Sequence, residues 1–208
     1  MTIITSPYHT IVWDDEQASD VSEGAECAVY TSTQLDDDQV AKLPLYCGDH
    51  NPYDSHEDWV NLYIDNAIKA FDMGVGPRVL GFILSPKDES ILGYVTEMVR
   101  TTDDIVNDIL DYLEPAYKGA STQEKEDIYN WQANLSDEPG EAVHSFDTVE
   151  HRMAPEVKGF IAELEIIMDS LITFIDMGIC DMHMFNVGLL DGAPITIDHG
   201  PYSCLQNL

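Results

Sequence analysis

Two short apolar runs near the C-terminal end, Val187 to Leu190 and Ile195 to Ile197, are separated by a turn containing Asp191-Gly192. Asp-Gly tolerates positive φ at both centres of a tight turn, so the pattern predicts a β-hairpin. A hairpin brings the chain back to where it started. Asn186, just before the first run, and Asp198, just after the second, are therefore expected at the same end. Asp181 stands five positions before Asn186, and Asp198 opens the triplet Asp198-His199-Gly200.

An acid, an amide and a second acid at these intervals suit phosphoryl transfer, which asks a protein mainly for positioning and charge neutralisation. Asp181 is the candidate base at an attacking hydroxyl. Asn186 and Asp198 are candidate magnesium ligands, because that ion takes oxygen donors and shares them with phosphate. A polar loop followed by an ordinary hairpin accounts for the same residues, so the remainder of the chain has to decide.

The remainder follows the order of a small kinase lobe. Residues 22 to 30 and the following TSTQLDDDQVAKLPLY suggest strand, acidic turn, strand, with Lys42 between apolar neighbours. This resembles the phosphate-covering hairpin and strand lysine of kinases, with Gly24 alone representing the Gly-rich loop. Glu57 opens a helix-like run from 56 to 71 that Gly74 and Gly76 end. It is the first choice for an acid bracing Lys42, with Asp58 and Asp65 as alternatives; a solvated helix charge is the competing account of each. PRVLGFIL and ILGYVTEMV then form a second hairpin leading into Glu97-Met98, where a hinge would meet an adenine ring.

The segment DMHMFNVGLLDGAPITIDHGPY, Asp181 to Tyr202, resembles the catalytic segment of the early serine/threonine protein kinases of short-tailed coliphages. GAECAVY, VAKL and MGVGPRVLGF stand where comparable small-lobe segments would fall. The resemblance implies ATP and magnesium as cofactors, Asp181 as base, Asn186 and Asp198 as metal ligands, Lys42 as phosphate-binding lysine, and host transcription and translation proteins as targets in the host cytoplasm. Ile179 and Cys180 replace the usual His-Arg, and His199 replaces the middle Phe of the triplet.

Charge is the second constraint. The chain has 39 Asp plus Glu against 9 Lys plus Arg, a net charge of -30. Nucleic acid is not expected as a ligand, because binding it relies on Lys and Arg displacing counterions. Basic host proteins are favoured instead, as substrates or as targets of a non-catalytic DNA mimic or inhibitor; adaptation to salt would give the same composition. The four cysteines show no zinc spacing, no apolar run is long enough for a membrane span, and the N-terminus is not a secretory signal. A reducing cytoplasm is the expected compartment.

The fold expected is α+β, a protein-kinase-like two-lobe arrangement. Residues 1 to 99 form a small lobe of sheet plus one helix, and 100 to 208 a shortened, mainly helical lobe. In the latter, a helix over 102 to 113, capped by its threonine Thr102 ahead of Asp103 and Asp104, precedes a polar segment, 115 to 159, with a helix at 121 to 134 and a linker at 136 to 140. A core helix then uses Phe160, Ile161, Leu164, Ile167, Met168, Leu171, Ile172 and Ile175 as its buried face. Only eight residues follow Gly200. A surface for docking protein substrates is therefore expected from the polar segment, a homodimer or a host partner. A small-molecule phosphotransferase is a third expectation.

Overall fold

Residues 8–23, 27–45, 55–179 and 182–198 are described by a computed structural model. The architecture is mixed α+β, in two units: Met1–Met98 with Asp198–Leu208, and Val99–Ile197.

Among the described residues, the first unit is a six-stranded sheet with one α-helix. Its strands are β1 (His9–Val12), β2 (Ala18–Glu23), β3 (Cys27–Ser32), β4 (Gln39–Pro44), β5 (Val79–Leu84) and β6 (Ile91–Glu97), and helix α1 (His56–Asp72) lies between β4 and β5. The spatial order is β1-β5-β6-β4-β3-β2. All neighbours are antiparallel except β1 and β5, which run parallel with His9 opposite Gly81. That close approach needs a glycine, since a Cβ at Gly81 would lie 2.6 Å from the His9 carbonyl oxygen.

Successive strand side chains point to opposite faces, and the sheet has two cores. On one face Phe82, Tyr94 and Val79 pack with Trp59, Val60, Tyr63, Ile64 and Ala67 of α1. On the other, Trp13, Ala41, Ile83 and Val95 are covered by Leu35, Tyr30, Leu43 and their neighbours. Ser55 caps α1 by accepting from the Asp58 N–H. Beyond the helix, Gly74 takes φ +73°, a left-handed conformation suited to glycine.

The second unit contains β7 (Arg100–Thr101), α2 (Thr102–Asp111), α3 (Leu113–Tyr117), α4 (Thr122–Asp137), α5 (Pro139–His144), α6 (Pro155–Asp176), β8 (Val187–Leu190) and β9 (Ala193–Thr196). The last two strands are the hairpin expected from the sequence. Asp191 and Gly192 have φ of 52° and 78°, the signature of a type I′ turn. Arg100 ties β7 to two helices, donating to Asp108 at 2.6 Å and Glu163 at 2.7 Å.

Three expectations for this unit need correction. The linker at 136–140 is the junction of α4 and α5, with Pro139 at the first helical position, where its missing N–H costs nothing. The cap of α2 is Thr101, which forms a reciprocal capping box with Asp104. The buried face of α6 is Val157, Ile161, Leu164, Ile167, Ser170 and Phe174, leaving Ile172 and Ile175 exposed.

At the start of α4, Ser121 and Glu124 make a second capping box. The Glu124 carboxyl accepts from the Ser121 backbone N–H first of all, and its pKa falls from 4.5 to about 2. A depressed carboxylate stabilises the fold above its unfolded pKa, and that contribution disappears as pH falls through the folded value. Thermal melts of Glu124→Gln and wild type should therefore differ at pH 6 and converge between pH 4.5 and about 2. A gap that stays constant down to pH 2 would contradict the cap.

Candidate functional site

Lys42 lies mid-strand in β4, opposite Tyr94 of β6 and Val29 of β3. Cross-strand partners share a face, and Tyr94 belongs to the α1-side core. Lys42 therefore stands half-buried on the face that α1 covers. Cys27, two residues before Val29, is on this face as well and packs against the same core.

Asp198 belongs to the first unit, although it follows directly on β9 and Ile197 of the second. It is half-buried and near enough to act on Tyr94. The Tyr94 phenol is pushed well above its ordinary pKa, mainly by burial and then by Cys27 and Asp198. The fold thus brings Lys42 and Asp198, distant along the chain, to the surroundings of one buried tyrosine.

The three acids expected to brace Lys42 stand at exposed positions of α1. Glu57 is exposed in the first turn of α1, and among the described residues it forms no ion pair with Lys42. Asp58 is bonded to the Ser55 hydroxyl at 2.8 Å, and Asp65 is exposed. The polar side chain on the buried face of α1 is Asn66, 4% exposed, in the stripe Trp59, Tyr63, Asn66, Ala70. Its helical spacing could have singled it out, but a neutral amide does not read as a partner for lysine.

The hinge candidates close the end of the sheet. The Glu97 carboxylate accepts from the Arg78 N–H at 2.8 Å. The Met98 N–H donates to the Asp38 carbonyl at 2.7 Å, so this donor is already committed; its side chain is 40% exposed.

Within the second unit, Asn186 ends the turn Met184–Asn186 that leads into β8. Its carbonyl accepts from the Ile197 N–H at 3.0 Å, closing the hairpin at the end where Asp198 follows. Sequence reasoning missed the residue that fixes this turn. Thr102, fully buried, donates its hydroxyl to the Met184 carbonyl at 2.7 Å. Nothing in a Thr-Thr pair says which member caps a helix and which reaches into the core, except Asp104 at the capping-box distance from Thr101.

Against protein-family models, curated proteins and solved structures, the chain has no match.

Gly24, Asp181 and the pair His199-Gly200 lie outside the described residues. Among the described residues no three His, Cys, Asp or Glu side chains gather to hold a metal, and none of the helices is long and apolar enough to cross a membrane. One carboxylate and one amide with solvent and phosphate oxygens is a different donor set, made of the hard oxygen ligands magnesium takes.

Proposed function

We propose that this protein is an ATP-dependent phosphotransferase of kinase-like, two-lobed build, related in mechanism to phage protein kinases, acting on Ser or Thr of basic host proteins in the host cytoplasm. The observation that carries this is Lys42 standing opposite Tyr94 on the α1-side face of the first unit, with Asp198 of the same unit near enough to Tyr94 to raise its pKa. A cation and a carboxylate around one buried tyrosine would serve a phosphate chain and its metal.

In this reading Lys42 holds the phosphate oxygens of ATP, and Asn186 and Asp198 would hold magnesium, which supplies charge neutralisation when bound. Asp181 orients the acceptor hydroxyl and takes its proton. The hydroxyl oxygen bonds to the γ-phosphorus, the bond from that phosphorus to the bridging oxygen breaks, and ADP leaves with the electron pair. Wild type with magnesium should transfer labelled phosphate from ATP to histone, a basic acceptor, and Asp181→Asn should reduce the rate by about a hundredfold or more. Equal rates in the two proteins would remove Asp181 from the chemistry.

A specific observation favours a second reading, a non-catalytic acidic protein that binds and blocks a basic host protein, as a DNA mimic would. The Met98 N–H, the expected donor to an adenine ring, is committed to the Asp38 carbonyl. Under this reading the protein binds its basic target equally well after Asp181→Asn, and duplex DNA displaces it.

A further inference from the structure

Helix α6 carries more apolar surface than its neighbours cover. In its first half Val157, Ile161 and Leu164 are buried, and α2, α5, the turn Met184–Asn186, β8 and β9 pack against the helix. The buried line then veers to Ile167, Ser170 and Phe174. Side chains continuing the original line are left outside: Ile172 is 70% exposed and Ile175 54%, with Leu171 half-buried beside them. Residues three and four apart are neighbours on a helix, so Ile172 and Ile175 form one patch.

The rim of that patch is acidic. Asp169 stands three residues before Ile172 and Asp176 four after it, and Glu165 continues the ridge one turn below Asp169; all three are exposed. An apolar strip beside a row of carboxylates suits an amphipathic helix with apolar residues on one face and Lys or Arg alongside. We propose that the C-terminal half of α6 is a docking face for a cationic amphipathic helix of a partner protein.

Charge decides between occupants. A second copy would bring the same ridge and another net charge of -30. An anionic membrane surface would be repelled as well. The acidity itself does not single out this face, since residues 99–197 hold 20 Asp plus Glu against 5 Lys plus Arg and the remainder of the chain 19 against 4. It is the coincidence of exposed isoleucines with the ridge that does. The proposal does not rest on the phosphotransferase reading.

The test uses fluorescence anisotropy of a labelled Leu/Lys peptide with its leucines along one helical face, added to the full-length protein. A scrambled peptide of the same composition serves as comparison. We expect the amphipathic peptide to bind and the scrambled one to bind at least about tenfold more weakly. Ile172→Gln with Ile175→Gln should weaken binding about tenfold or more, because both side chains lose their buried contact. Glu165→Gln, Asp169→Asn and Asp176→Asn together should weaken it about fivefold and flatten its salt dependence. Asp111→Asn, Glu114→Gln and Glu126→Gln, an equal change of charge elsewhere on the unit, should change it by less than about twofold. Circular dichroism checks that each variant is folded; the substituted positions are exposed. No binding, wild-type affinity in the isoleucine variant, or equal losses in the two charge variants would overturn the proposal.

Discussion

Gly93→Ala is expected to destabilise the first unit by about 3 kcal/mol or more, at or above the upper end for overpacking. A Cβ there would lie 2.1 Å from the Lys42 carbonyl oxygen and 2.9 Å from a Leu43 methyl. The nearest obstacle is backbone, which no rotamer change can move aside. The strand pair β4 and β6 must separate locally, which displaces Lys42 along with its ladder. Urea unfolding followed by tryptophan fluorescence reads this well, because Trp13 and Trp59 both lie in the cores of this unit. Gly159→Ala in α6 is the control. Beyond the backbone of its own helix and its chain neighbours nothing lies within 4 Å of its added Cβ, so it should be neutral or stabilise by up to about 1 kcal/mol. An unchanged midpoint for Gly93→Ala would contradict the register of the sheet.

Lys42→Met should weaken magnesium-ATP binding by about tenfold to a hundredfold, the scale of a charge-assisted hydrogen bond of about 1.5–3 kcal/mol. The methionine keeps most of the length and apolar stem, so the half-buried strand position should tolerate it. Asp198→Ala should remove the dependence of binding on magnesium, because the metal loses its carboxylate. The two effects differ in kind. In Lys42→Met magnesium still strengthens binding, whereas in Asp198→Ala adding it changes little. Competition binding with a fluorescent ATP analogue, at several magnesium concentrations, separates them. Identical magnesium responses in both variants would show that Asp198 does not act through the metal.

Local chemistry made some elements legible and left others hidden. Asp191-Gly192 specified its hairpin because the turn type constrains backbone angles, and the structure has those angles. The run from 56 to 71 matched α1 because a serine cap and terminal glycines bracket it. Pro139 was misleading. The same ring that breaks a helix interior is welcome at a first turn, and only the chain beyond it says which applies.

The N-terminal strand was hidden for a different reason. β1 pairs with β5 across some seventy residues, and Gly81, which permits the approach, looks locally like any strand glycine. In α6 the apolar residues outnumber the core positions, so periodicity could not show that Ile172 would remain outside. At the candidate site, the sequence pointed to Lys42 and Asp198 separately. Their common neighbour Tyr94 emerges only when the register of β4 and β6 is known. Asn66 and Thr102 stayed unseen because buried polar residues declare themselves through their surroundings.

Calorimetric titration of ATP into the wild-type protein, with and without magnesium and at several ionic strengths, tests for the nucleotide site itself. A phosphotransferase site should give saturable binding that needs magnesium and weakens in Lys42→Met. No heat of binding under any of these conditions would contradict it, and would leave the acidic surface, not a nucleotide site, as the working part of the molecule.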